Sequence, residues 1–279
     1  MSNTTKQSFG NLVRTDEPPF GAYEPRGLQR MLRAFAQVPP FHRGRLRRPM
    51  ANLIRRMAPN GMVDVHFRGG AFRLRPEPNL IEDSILVYPR YNSREIDFLI
   101  EGTPVGGVFI DLGSNVGLYS LALAAHIGSE GRVLAIDANP DMAEALKFNA
   151  AASGFNNVVM VNVAVGECAA RADLLGGRND LAIVCVAENP QGSIEIRPLA
   201  DIVREAGVTR VDSLKADIEG FEDQALIPYL NSVDDALKPK RISIEHLGRA
   251  EWKNDLFPVF EKHGYRKVDT TQGNTLFIR

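Results

Sequence analysis

Cysteine is scarce. The 279-residue chain holds two, Cys168 and Cys185. They match no CxxC or metal-ligand spacing, which excludes a disulfide scaffold or a structural zinc site as the basis of the fold. Long hydrophobic runs are also missing: no window approaches the ~18 continuous apolar residues of a membrane-spanning helix. The opening Met1-Ser-Asn-Thr-Thr-Lys-Gln-Ser8 is polar and lacks the apolar core of a secretory leader. No internal repeat or low-complexity tract stands out. The expectation is a cytoplasmic globular protein whose 44% apolar and 24% charged residues are ordinary for that class. A chain of this length buries a full core without staples, as one α/β domain with an extension or as two nominal domains.

A net charge of −1 conceals an asymmetry. Residues 1–56 carry 11 Lys/Arg and 3 Asp/Glu, a balance of +8, against −9 for the remainder. Such a split suggests an appended basic segment with its own partner. Residues 1–25, broken by Pro18, Pro19 and Pro25, read as a poorly ordered or wrapping arm. Leu28, Met31, Leu32 and Phe35 then fall at i, i+3, i+4 and i+7, and Met50, Leu53, Ile54 and Met57 repeat the spacing. Pro39 and Pro40 end the first helix, and an arginine-rich run, His42–Arg48, separates the two. Both stripes are expected to face a core. The alternative is a surface over 26–57 for a membrane, an anionic glycan or nucleic acid. Residues 1–60 are thus read as a basic helical extension.

The period then changes. Val63, Val65 and Phe67 alternate, Gly69-Gly70 makes a turn, and Phe72 and Leu74 resume, which predicts a β-hairpin over 62–75. A helix is expected at 94–101. From Val105 short strands alternate with helices: strands at 108–110, 133–136, 158–161, 213–216 and 242–244, and helices at 115–126, 140–152, 199–206 and about 221–230. A strand-rich stretch runs to about 197. That alternation means parallel βαβ units. At the end, 266–269 and 275–278 flank Gln272-Gly273-Asn274, an antiparallel hairpin signal. The fold class is α/β.

The strongest local chemistry lies in Val108-Phe-Ile-Asp111-Leu-Gly113-Ser-Asn115-Val-Gly117-Leu-Tyr-Ser120. A buried strand ends in an acid, and a small-residue turn opens a helix. In open α/β sheets ligands bind beyond the carboxyl ends of strands. Gly113 and Gly117 allow close backbone approach. A dinucleotide fingerprint would need glycine at 115 and 118, where Asn115 and Leu118 stand. Asp111 would repel a pyrophosphate and suit a cationic amino-acid moiety. The second strand ends at Asp137, whose carboxylate can accept both hydroxyls of a ribose. Its bland reading, a cap before Pro140, suits Asn139 better. The third strand ends at Asn162, with Val163-Ala164 as an edge for an adenine ring or as plain loop.

Asp-Leu-Gly-Ser-Asn-Val-Gly-Leu-Tyr-Ser, Ala-Ile-Asp-Ala-Asn-Pro and Leu214-Lys215-Ala-Asp217-Ile-Glu219-Gly220-Phe-Glu222, in that order, resemble the FkbM family of S-adenosylmethionine-dependent methyltransferases. Ile196-Arg-Pro-Leu-Ala-Asp201-Ile-Val resembles the segment that leads into that family's fourth strand. The resemblance covers about 85–279. It implies a Rossmann-like class I methyltransferase fold, a seven-stranded, mostly parallel sheet with an antiparallel C-terminal hairpin. The methyltransferase domain would span 61–279, with its Rossmann-like core from about 95. It also implies O-methylation, often of sugar or polyketide hydroxyls. Asp137 stands where the family usually has Glu, Ser114 replaces a common Ala, and residues 1–60 fall outside the resemblance.

With S-adenosyl-L-methionine as cofactor, the expected contacts are Asp111, Gly113, Asn115, Gly117, Asp137 and Asn162. The methyl is already activated, so aligning an acceptor oxygen should dominate, at ~7–11 kcal/mol, with a general base adding about 10²–10⁴-fold. Candidate bases end the fourth and fifth strands: Asp217, Glu219, Glu245 and His246, with His246 favoured because imidazole titrates near neutrality. Asp217 and Glu245 offer oxygen ligands for a divalent cation as an alternative, although no spacing demands one. Lys215, two residues before Asp217, is read as its ion-pair partner or a substrate contact, and Glu222 as a first-turn residue favourable to the helix dipole. The acceptor is expected to be a small molecule or glycan, lipid-linked or anionic. A nucleic-acid methyltransferase using the basic segment is an alternative. It is disfavoured by the lack of an Asn-Pro-Pro-Tyr-like tetrapeptide after strand four and of any RNA-binding module. A non-catalytic S-adenosylmethionine-binding protein is the third reading.

Overall fold

A computed structural model describes residues 17–77, 79–176 and 184–279. Residues 1–16 of the expected arm, 177–183 of the strand-rich stretch and the Cys185 side chain lie outside the described residues. The two N-terminal helices, α1 (Gly27–Ala36) and α2 (Arg47–Arg56), precede a hairpin of β1 (Val63–Phe67) and β2 (Gly70–Leu74). The hairpin turns at Arg68 and Gly69, with φ of 48° and 84°, the positive values a tight right-twisted connection needs. Helices α3 (Leu80–Val87) and α4 (Ser93–Gly102) lead to the main sheet.

The first half of that sheet runs β3 (Val108–Leu112), α5 (Leu118–Ile127), β4 (Arg132–Ile136), α6 (Pro140–Ala152) and β5 (Val158–Val161). The strand-rich stretch then forms a sheet of its own from β6 (Ala164–Val165), β7 (Ala170–Gly176), β8 (Val184–Glu188) and β9 (Ile194–Arg197), in the order β6-β9-β7-β8. The second half follows as α7 (Leu199–Glu205), β10 (Ser213–Ala216), α8 (Glu222–Ser232), β11 (Arg241–Glu245) and α9 (Leu256–Lys262), closed by β12 (Arg266–Thr270) and β13 (Asn274–Ile278). Seven strands lie in the order β12-β13-β11-β10-β3-β4-β5. β13 is antiparallel to both neighbours, and the other pairs are parallel. This is the seven-stranded, mostly parallel Rossmann-like sheet with an antiparallel C-terminal hairpin that the family resemblance implied. Chain order reverses between β3 and β10, the switch point beyond which a crevice opens.

Both faces of the sheet are covered, so its strands read as near-continuous apolar runs. Successive side chains point to opposite faces. Phe109, Val133 and Ala135 therefore join one core with α5 and α6, while Ile110, Leu112, Leu134 and Ile136 join the other with α7, α8 and α9. The N-terminal extension is built into the first core through Ala36, Ala51 and Ile54, beside Phe72 and Leu121. The described part of the arm wraps, as one of the two readings held. Buried Asp64 accepts from Arg73 Nε (2.9 Å) and Nη2 (2.9 Å) and from the backbone N–H of Gly21 and Tyr23. Arg73 in turn donates to the carbonyls of Pro18 and Pro19.

Two expectations need correction. The helix drawn from Asn115 begins at Leu118, because Asn115 and Gly117 lie at φ 47° and 97°, outside the right-handed helical region. Most of the α1 stripe does not face the core: Leu28, Met31 and Phe35 are exposed, while Leu32 packs against the core and Gln29 and Ala36 are buried. Gln29 Nε2 donates to the Ile54 carbonyl (3.1 Å). A helix turns ~100° per residue, so satisfying this amide against α2 swings the apolar stripe out of the core.

Candidate active site at the carboxyl edge of the sheet

A cleft of about 580 Å³ opens beyond the carboxyl ends of β3, β4, β10 and β11. One wall is the Gly113–Asn115 loop with Asp137–Asn139 and Val163–Val165. Another is Asp217–Glu219, Glu245, Leu247 and Gly248, with Gln272–Asn274 from the C-terminal hairpin. Arg47, Leu80, Ile81, Tyr91, Asn92 and Glu95 bring the N-terminal elements to the rim.

The loop after β3 requires glycine at its first turn. Gly113 lies at φ 76°, and a Cβ there would come 1.8 Å from the Asp217 carbonyl oxygen. Asn115 donates its backbone N–H to Asp137 Oδ2 (2.7 Å) and accepts from Asn79 Nδ2 (3.1 Å) through its side chain. Asn139 N donates to Asp137 Oδ1 (2.8 Å), while the Asn139 side chain caps α6 by accepting from Asp141 N (3.0 Å). The Asp137 carboxyl is pushed up to about 6 by burial, which outweighs its two N–H donors and is reinforced by the charge of Asp217. Each carboxylate oxygen has two lone-pair sites, so both keep capacity toward the cleft.

Gly113, Asn115 and Asp137 thus meet on one wall, and three other expected cofactor residues do not reach it. Asp111 lies fully buried beneath the loop. It accepts from Ser120 Oγ (2.6 Å), and its Oδ1 has no partner. Burial raises it to about 6, against Ser120 and Lys215. Gly117 caps α5 against Leu146 and Leu121. Asn162 turns its amide back onto the Asp137 carbonyl (2.8 Å), leaving Val163, Ala164 and Val165 as the cleft edge.

On the opposite wall, buried Lys215 donates to Asp217 Oδ2 (2.8 Å) and lies over the Tyr119 ring, which settles it as an ion-pair partner. Glu219 sits at φ 54°, a left-handed conformation that costs a non-glycine residue about 1–2 kcal/mol. Glu222 holds that turn: it accepts from Ile218 N (2.7 Å), Gly220 N (3.1 Å) and Trp252 Nε1 (2.7 Å). It does occupy the first turn of α8, but its burial and three donors make it the clamp of the loop. Only Trp252, 30 residues away in the chain, could not be inferred from local sequence. Glu219 makes no hydrogen bond among the described residues. Burial, then repulsion by Asp217, Glu245 and Glu222, pushes it up to about 7. Glu245 accepts from Leu247 N (2.7 Å) and Gly248 N (3.1 Å), so both oxygens tie down the turn that follows β11. His246, the favoured base, is off the cleft wall. β11 ends at Glu245, and the His246 ring just beyond it turns to β13, where its Nδ1 pairs with Thr275 Oγ1 (3.0 Å).

A family model for the methyltransferase FkbM domain matches residues 111–267, more than half of the chain. The protein belongs to the FkbM methyltransferase family. Similar solved structures include a putative rRNA-methylase from Clostridium thermocellum, 12% identical over 66% of this chain and 92% of that one, with a TM-score of 0.42. A SAM-dependent methyltransferase from Aquifex aeolicus is 15% identical over 68% and 86%, TM-score 0.39. The O-methyltransferase TomG from Streptomyces achromogenes, solved in complex with SAM, is 13% identical over 69% and 80%, TM-score 0.41. Similarity at this level carries nothing about the acceptor. No curated protein matches the sequence.

As an FkbM methyltransferase the protein uses S-adenosylmethionine, and the residues present fit it. Asp137 keeps acceptor capacity in the cleft, on the same wall as Gly113 and Asn115. A cation fits less well. Asp217 is held by Lys215 and Glu245 by two backbone amides, and among the described residues no three His, Cys, Asp or Glu form a metal-ligand group.

Proposed function

We propose that this FkbM methyltransferase methylates a hydroxyl of a sugar, a glycan or a glycosylated metabolite, with Glu219 as the general base. The observation that carries this reading is the unpartnered Glu219 carboxyl in the cleft, held by a strained turn and tuned to about 7. A base is most effective when its pKa lies near the working pH. An alcohol loses its proton during methyl transfer, so a hydroxyl acceptor gives this group its work. A protein that only bound the nucleoside would have no use for it.

When bound, S-adenosylmethionine supplies an activated methyl on a sulfonium. The Asp137 carboxylate would hold the ribose hydroxyls on the wall that it shares with Gly113 and Asn115. Glu219 accepts the proton of the acceptor hydroxyl, and its neighbours' negative charge strengthens it as a base. Asp217, Glu251, Gln272 and Asn274 line the same cleft and offer acceptors and amides suited to a polyhydroxylated ring. This wall would repel the phosphates of a nucleic acid, which argues against the RNA or DNA reading at the cleft itself.

The test is methyl transfer from S-adenosylmethionine by the full chain to a panel of neutral and acidic glycans and to RNA. Transfer to a glycan hydroxyl is expected, rising with pH through about 7 as Glu219 deprotonates. Glu219→Gln should lower kcat about 10²-fold or more and abolish that pH limb while S-adenosylhomocysteine affinity stays within about threefold. Full turnover by Glu219→Gln, or transfer to RNA alone, overturns the reading.

A further inference from the structure

We propose that the N-terminal helices dock the protein on an anionic lipid bilayer. Leu28, Met31 and Phe35 lie at i, i+3 and i+7 of α1 and are 69%, 70% and 52% exposed. Three large apolar side chains on one exposed helix stripe mark a contact surface. The stripe continues past the helix end at Val38, and the Phe35 ring packs on Phe41 with centroids 4.4 Å apart.

Charge selects the partner. Arg26 and Arg30 are exposed on the other flank of α1, and the +8 balance of residues 1–56 stands against −9 in the rest. A bilayer of anionic lipids uses both features at once. The apolar stripe enters the boundary between headgroups and acyl chains, and the arginines meet the headgroups. The acidic remainder is repelled, which orients the molecule with its N-terminal face down. Nucleic acid would use the arginines and leave the stripe in water. A second copy would cover the stripe at the cost of bringing the exposed Arg26 and Arg30 of two chains together. α2 also carries Arg47 on the rim of the cleft. The inference does not depend on which acceptor the cleft takes.

The experiment is co-sedimentation of the full chain with vesicles of phosphatidylcholine alone and of phosphatidylcholine with about one third phosphatidylglycerol. Binding is expected to the anionic vesicles only, and to weaken as salt is raised. L28S/M31S/F35S should weaken it at least about tenfold, and R26Q/R30Q about fivefold for each charge removed. S-adenosylhomocysteine binding, unchanged in both variants, shows that they are folded. Three results would overturn the proposal. One is no sedimentation with anionic vesicles. Another is sedimentation of the serine variant equal to that of the parent. The last is a concentration-dependent dimer that the serine variant abolishes, or polyuridylate binding that it retains, with no vesicle binding in either case.

Discussion

Replacing Asp137 by Asn tests two properties of one carboxyl with opposite signs. Burial carries the group from an ordinary 3.8 to about 6, which makes its ionised form cost about 3 kcal/mol of stability. Because the folded value is raised, stability is fully present while the group stays protonated in both states. It declines as pH rises from about 4 to about 6, then stays level. Asparagine cannot ionise, so that cost disappears above pH 6. The variant, however, has a single acceptor oxygen for the two amides of Asn115 and Asn139. Losing one hydrogen bond to a charged acceptor costs about 1.5–3 kcal/mol. The two terms nearly cancel at pH 7.5, so urea unfolding should place Asp137→Asn within about 1.5 kcal/mol of the parent, with a flatter stability profile between pH 4 and 6. Cofactor binding has no such compensation. Calorimetry should find S-adenosylhomocysteine bound at least about tenfold more weakly, a loss of ~1.4 kcal/mol or more. In the parent, affinity should rise with pH up to about 6, as the carboxylate forms, and the variant should show no such rise. Unchanged affinity would refute the role given to Asp137. A stability loss beyond about 4 kcal/mol would refute the cancellation.

Other substitutions separate the loop, its clamp and His246. Gly113→Ala meets the Asp217 carbonyl and a left-handed backbone at once. A loss of about 2–5 kcal/mol in denaturant unfolding is expected, with S-adenosylhomocysteine binding weakened at least about tenfold. Glu222→Gln leaves one acceptor for three donors; stability should fall by about 1–3 kcal/mol, and kcat should fall as the Glu219 turn relaxes. His246→Ala should cost about 1 kcal/mol through the Thr275 hydrogen bond and alter kcat less than about threefold, measured by methyl transfer once an acceptor is known.

What the sequence discloses is local. Pro140–Ala152 starts where predicted because Asn139, Pro140 and Asp141 place cap, first turn and dipole partner in adjacent positions. Gly113 was legible because strand, acid and glycine lie within a few residues. Other features depend on partners distant in the chain. The short α3, almost wholly buried, shows little periodicity, and its cap residue Asn79 also ties the Asn115 loop 36 positions later. His246 looked apt by chemistry, yet its ring is held by Thr275, 29 residues on. The α1 stripe obeys the helical period, but which side faces the core was decided by a glutamine meeting a carbonyl of α2. Glu222 disclosed its helix position and hid its clamp, since Trp252 comes from another element.

The buried Asp64–Arg73 pair bears on how this molecule can be divided. Arg73 reads carbonyls of Pro18 and Pro19, Asp64 reads amides of Gly21 and Tyr23, and Ala36, Ala51 and Ile54 belong to the core that also contains Phe72. A swap of residues 1–60 into a related enzyme would therefore transplant half of an ion cage and a slice of core without their counterparts. The graft junction that respects this architecture falls ahead of Pro18. On this view, the basic helices belong to the same body as the sheet they lean on, and any change of their outer surface would have to proceed residue by residue.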